Sequence, residues 1–191
     1  MSFNEVAGFF CYLVTLLLFA FSAIQKWRDH LAYERSVESF AILPPGWITP
    51  MAWLSTLVES LSVVLLLGGL FWPVLQPIGL LLVLLLLLLF TGALVSVLVR
   101  GLQVSCGCFG TNEHLVSSTS LVRNVGLIVC CAGSFLYSSA AHSVGQGSLL
   151  DVLVTTLASA TFVLLWTNLD EIATLLRPKA VGNSHGERRK V

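Results

Sequence analysis

IGLLLVLLLLLLFTGALVSVLV (residues 78–99) is a run of 22 residues without a charge. A helix crossing the hydrocarbon core of a bilayer needs about 20 mostly apolar residues, so this segment alone is long enough to span. Its leucine run at 80–89, broken only by Val83, is uniformly apolar and shows no preferred face. Four further apolar runs flank it, at residues 6–24, 51–71, 118–137 and 149–169. Composition agrees. The chain of 191 residues is 56% hydrophobic and only 10% charged, with a mean hydropathy of +0.89, whereas soluble domains carry about a quarter charged residues. A chain so poor in charge cannot cover a surface in water. The expected fold is an all-α integral membrane protein, a compact bundle of about five transmembrane helices over residues 1–176. A polar, basic C-terminal tail follows at 177–191.

The connections are readable too. No basic region precedes the first run, which argues against a cleaved leader and for retention of the segment as a span, although Ala20-Phe21-Ser22 weakly resembles a cleavage site. Lys26-Trp27-Arg28-Asp29-His30 closes it with charges and an aromatic at interface depth. Residues 29–43 mix Leu31, Tyr33, Val37 and Phe40 with Glu34, Arg35 and Glu38, the pattern of a short helix on the membrane surface, and Pro44-Pro45-Gly46 stops it. Trp72-Pro73 closes the second span. Gly68-Gly69, and Gly92 with Ser96 four residues on, are small enough for close helix approach.

Five spans put residues 25–50, the segment after residue 99 and the tail on one face. All ten Lys and Arg residues belong to that face: Lys26, Arg28, Arg35, Arg100, Arg123, Arg177, Lys179, Arg188, Arg189 and Lys190. The opposite face has the N-terminus, the turn at 72–77 and the turn around His142, without a Lys or Arg. The excess of positive charge on cytoplasmic segments predicts a cytoplasmic C-terminus. Net charge is zero and no basic strip is interleaved with aromatics, so no nucleic-acid partner is expected.

The chemistry points to Arg100-Gly101-Leu102-Gln103-Val104-Ser105-Cys106-Gly107-Cys108-Phe109-Gly110, a polar loop between the third and fourth spans. Cys106 and Cys108, one residue apart, form a candidate exchanging pair. Their disulfide would close a small strained ring, and strained disulfides are labile and oxidising. Gly107 relaxes the backbone enough to permit it. The thiolate is the nucleophile, and nearby cations such as Arg100 and Arg123 lower a thiol pKa. A stable disulfide is not expected in a reducing cytoplasm, where the charge count puts this loop. The same residues admit a metal reading, with Cys106, Cys108 and His114 around zinc or copper. That reading ranks lower, because Glu113 is the only obvious fourth ligand.

Five cysteines leave at least one unpaired within the chain. Cys11, Cys130 and Cys131 lie in apolar runs, where the ordinary role of cysteine is small apolar packing. They are also the candidates for a relay from the loop. Cys130 and Cys131, adjacent on a helix, point apart, so no disulfide is expected between them. Glu59 sits about nine residues into the predicted second span, roughly 13 Å deep. A carboxylate there demands a partner, and Lys26, Arg100 and Arg123 share its face. The structural role, an ion pair holding helices in register, is preferred over a proton acceptor for thiol chemistry. Arg123 can snorkel to the interface, and Asn124 can hydrogen-bond across helices.

These residues, taken in order, resemble the MauE branch of the MauE/DoxX-type membrane proteins. The resemblance rests on Ile24-Gln25-Lys26-Trp27-Arg28-Asp29, Leu43-Pro44-Pro45, Glu59, Arg100-Gly101 and Cys106-Gly107-Cys108-Phe109-Gly110, and covers most of residues 6–140. It implies a four-helix DoxX-like core plus one helix, in the bacterial inner membrane. It also implies a role in maturing the small (beta) subunit of periplasmic methylamine dehydrogenase, with a periplasmic thioredoxin-like protein of the MauD type as partner. On this resemblance Cys106 and Cys108 exchange thiols and disulfides, Glu59, Lys26, Arg123 and Asn124 hold the helices and tune the local field, and no cofactor is expected. Two alternatives stay open: a non-catalytic scaffold for that partner, and a metal-binding or small-solute transport protein. The implied partner draws the chemistry toward the periplasm, the charge count toward the cytoplasm. Familiar quinone-linked thiol oxidases carry a second cysteine pair in a periplasmic loop, and this chain has none there.

Overall fold

A computed structural model describes residues 3–101, 118–136 and 148–168. The described residues form helices joined by short turns, with no strand among them: α1 (Phe3–Arg28), α2 (His30–Ser39), α3 (Pro45–Gly69), α4 (Leu75–Val99), α5 (Ser118–Leu136) and α6 (Leu149–Thr167). By length and composition α1, α3, α4 and α6 can each cross a membrane, and α5 contributes a shorter apolar stretch, Ser120–Leu136. The expected helical membrane bundle is therefore observed. The loop with Cys106, Cys108, Glu113 and His114, and the tail beyond 168, lie outside the described residues.

α1 is the central staff. It packs against α3, α5 and α6, while α4 bridges α3 and α5. Burial along α1 accordingly runs all round the helix, through Tyr12, Leu13, Val14, Thr15 and Leu16. The other helices bury one face and turn leucines and valines outward: Leu57, Leu61 and Val64 on α3, Leu81, Leu85 and Leu88 on α4. That inside-out surface is what lipid requires. The leucine run on α4 does acquire a face: Leu80, Val83, Leu86, Leu87, Leu94 and Val97 point inward at helical spacing. With every position equally apolar, only the neighbouring helices decide which leucines are covered.

Buried hydroxyls satisfy themselves on their own helices. Thr15, Thr56, Ser62, Ser134 and Ser159 each donate to the carbonyl four residues earlier, the local solution available where water is absent.

Two boundaries differ from expectation. α3 begins at Pro45 rather than near residue 51, because a proline in the first helical turn lacks only an N–H that has no helical partner anyway and already holds a helical φ. The proline cluster thus starts α3 rather than stopping α2, which already ends at Ser39, before Ala41 takes a positive φ, and Pro50 is carried within the helix. The surface segment forms α2, capped by the Asp29 side chain, which accepts from the Ala32 N–H at 3.0 Å. Tyr33 and Ser36, three residues apart, are its buried face.

Glycines mark two close approaches, one expected and one not. A Cβ on Gly69 would stand 2.8 Å from the Tyr12 hydroxyl and 3.0 Å from Gln76 Cα, so this glycine lets α3 turn tightly into α4. On α5, a Cβ on Gly126 would meet the Trp166 ring at 2.7 Å. Around Gly92, by contrast, nothing lies within 4 Å of an added Cβ, so it is not a contact between helices among the described residues.

Candidate functional site

Contacts between helices fix the two ends of the bundle. Tyr12, early in α1, donates its hydroxyl to the Leu66 carbonyl near the end of α3. Cys131, near the end of α5, donates its thiol to the Leu80 carbonyl near the start of α4, at 3.4 Å. At the opposite end, Arg100 just beyond α4 donates to the Ala41 carbonyl in the α2–α3 connection, at 3.2 Å. The spans therefore alternate in direction. Lys26, Arg28, Arg35, Arg100 and Arg123, the Lys and Arg residues among those described, all lie at the end where α1 and α4 finish and α3 and α5 begin.

A polar nest occupies that end. Lys26 Nζ donates to Glu59 Oε2 at 2.5 Å, joining α1 to α3, and both residues are buried. The same ammonium stands 4.6 Å from the ring centroid of Tyr33 on α2 and 4.6 Å from that of Phe90 on α4. One cation thus ties four helices together, and its contact with two aromatic faces replaces part of the hydration it has lost. Tyr33 in turn shares a hydrogen bond of 2.8 Å with Ser55 on α3. Glu34 accepts from Thr49, pinning the outer side of α2 to α3.

Of the three partners open to Glu59, the structure selects Lys26. Arg100 is exposed and engages Ala41 instead. Glu59 lies 14 positions after Pro45, deeper along its helix than the expected nine because α3 starts earlier. Arg123 is buried rather than extended to the interface, and Asn124 beside it is buried too. Tyr33, Phe90 and Ser55 were not singled out from the sequence. The first was findable from the inward spacing of Tyr33 and Ser36 on a short amphipathic helix, whereas Phe90 sits in a run with no readable face.

A rim of aromatics surrounds the nest. Trp27 donates its indole N–H to Ser60 Oγ at 2.9 Å and meets Trp53 edge-on at 5.8 Å between ring centroids. His30 lies against Trp53 at 4.0 Å. Partly exposed tryptophans at one level of a bundle are the mark of a membrane–water interface.

The cysteines among the described residues lie toward the other end. Cys131 is buried against α4. Its neighbour Cys130 is half-buried on the side of α5 that meets α1, where the Cys11 sulfur lies 3.7 Å from the position of a Cβ on Gly133, one turn away. The two adjacent cysteines do point apart, as helical geometry requires.

Alternating spans, an apolar exterior and a charged nest sealed at one end define a polytopic helical membrane protein. The chain belongs to the MauE family: residues 4–138 match the family described as Methylamine utilisation protein MauE. Its role accordingly lies in methylamine utilisation. No curated protein and no solved structure matches the chain.

Proposed function

We propose that this protein supports thiol–disulfide exchange in the bacterial inner membrane during maturation of the methylamine dehydrogenase beta subunit, acting with a periplasmic thioredoxin-like partner of the MauD type. Cys106 and Cys108 are the exchanging pair. A thiolate of one participant attacks a sulfur of the other's disulfide, giving a mixed disulfide and releasing one thiolate. The neighbouring thiolate of the attacking pair then displaces the second sulfur. One dithiol and one disulfide have changed places, with two electrons and two protons transferred overall.

The observation that carries the reading is the nest at the end of the bundle where α4 finishes and α5 begins. The segment bearing Cys106 and Cys108 connects those two ends. Lys26 there binds α1, α2, α3 and α4 into one rigid platform. A reactive dithiol works best on such a support, because exchange is sensitive to the approach of one sulfur along the line of another. Membership of the MauE family supplies the pathway. Glu59, Lys26, Arg123 and Asn124 are positioning residues in this reading.

The test is Cys106→Ser and Cys108→Ser, each expressed in cells growing on methylamine. Both variants remain in the membrane at normal abundance, and active methylamine dehydrogenase with correctly paired disulfides is lost. Normal holoenzyme in either variant overturns the exchange role.

A further inference from the structure

Cys11 lies eight residues beyond Phe3, and Cys130 six residues before Leu136. At 1.5 Å per residue both are roughly 9–12 Å from the helix ends at the face opposite Lys26. They face one another across the packed α1–α5 interface, where the Cys11 sulfur lies beside α5 one turn from Cys130. A Cβ on Gly133, one turn beyond Cys130, would stand 3.7 Å from Cys11 Sγ, an ordinary contact that sets the Cys11 sulfur against this face of α5. Both cysteines are only half-buried, and Val129, next to Cys130 on α5, is exposed on the apolar exterior. Packing alone asks for one small residue at such a contact, not a thiol from each helix. The pair is within reach of a molecule dissolved in lipid and away from water.

We propose that Cys11 and Cys130 form a second dithiol–disulfide couple, oxidised from within the membrane by a lipid-soluble two-electron acceptor of the quinone class. The two S–H bonds break and one S–S bond forms between α1 and α5. Two electrons and two protons pass to the quinone, which leaves as the hydroquinone. Cys131 takes no part, since its sulfur is turned to the Leu80 carbonyl. The couple stands apart from the loop pair and from the role given to it, and the experiment below is made in chains lacking Cys106 and Cys108, so the two readings fail separately.

The full-length chain carrying Cys106→Ser, Cys108→Ser and Cys131→Ala is held in native membranes and exposed to decyl-benzoquinone, or to oxidised glutathione as a water-soluble oxidant. It is then denatured and its free thiols are counted with a mass-tagging maleimide. The expected result is two tags before oxidation, none after the quinone, and two again after dithiothreitol. Glutathione disulfide at equal concentration acts at least tenfold more slowly. With Cys11→Ser or Cys130→Ser added, one tag survives every treatment. Two tags persisting after the quinone overturn the proposal. So does a loss that dithiothreitol does not reverse, since that is arylation, or oxidation by glutathione disulfide as fast as by quinone. If Cys131→Ala lowers the amount of folded protein, the same count is made with Cys131 retained, and peptide mass mapping identifies the sulfurs that pair.

Discussion

Lys26 and Glu59, 33 positions apart in the chain, meet at 2.5 Å with neither more than 2% exposed. Removing two charges from water is costly, and their attraction offsets that cost only while both are present. Glu59→Leu therefore strands a buried ammonium, and Lys26→Met strands a carboxylate. Each single change is expected to destabilise the protein by about 3–5 kcal/mol, whereas Lys26→Met with Glu59→Leu should come close to wild type. Thermal unfolding of the four proteins in one detergent completes the cycle. Simple addition of the two losses in the double variant would show that the residues are not coupled.

How far this was legible follows from the kind of signal each feature leaves. The spans announce themselves because lipid demands length and uniform apolarity, which need no knowledge of neighbours. α2 was readable because a surface helix must alternate charged and apolar residues. The ion pair was half readable: a carboxylate within an apolar run requires a cation, but Lys26, Arg100 and Arg123 all shared its face. The choice depends on α1 packing against α3, which no local pattern encodes. The inward side of α4 was unreadable, since ten positions at 80–89 offer only leucine and valine. The facing of Cys11 and Cys130 was recoverable in part. Five alternating spans place both at similar depth from one face, but not on facing sides of adjacent helices.

Gly69 tests the tight α3–α4 turn. An alanine Cβ there would stand 2.8 Å from the Tyr12 hydroxyl and 3.0 Å from Gln76 Cα, and the second of these is backbone that cannot move aside cheaply. Gly69→Ala is expected to cost about 1–3 kcal/mol, the range for overpacking. Gly92→Ala, with open space around it, should be neutral or slightly stabilising, since alanine is the better helix former. Comparing the melting temperatures of the two variants checks the contrast. Equal effects would mean that close approach is not what keeps a glycine at 69.

Tyr12 is the other party to that contact. Its hydroxyl donates to the Leu66 carbonyl across the α1–α3 interface. Hydrogen bonds between membrane helices contribute about 0.6 kcal/mol on average and seldom above 1.7. Tyr12→Phe should fall within that range, and it should partly relieve Gly69→Ala because the nearest of the crowding atoms has gone. A double variant no better than Gly69→Ala alone would assign the whole penalty to Gln76.

Ala41 holds a positive φ of 49° in the connection between α2 and α3, a conformation that costs an L-residue roughly 1–2 kcal/mol. Its carbonyl accepts from Arg100, which helps to hold the turn. Ala41→Gly is expected to raise stability, by less than that figure because glycine also loses more freedom on folding. Ala41→Val should lower it. The ordering Gly above Ala above Val in thermal unfolding checks the turn, and any other order would argue against the left-handed conformation at this residue.

The charged end of the bundle gives the last prediction. Lys26, Arg28, Arg35, Arg100 and Arg123 share it, while the turn at 70–74 lies at the other end. The bias of basic residues toward the cytoplasm predicts that this turn faces the periplasm. In a cysteine-free chain, Pro73→Cys should react with a membrane-impermeant maleimide in intact cells. A chain keeping only Cys106 and Cys108 should react after the membrane is opened, without prior reduction. Exchange with a periplasmic partner then needs electrons to cross the bundle. The reverse pattern, with the loop cysteines labelled in intact cells after reduction, would place a disulfide directly before a periplasmic partner. It would also make this protein an exception to the charge rule.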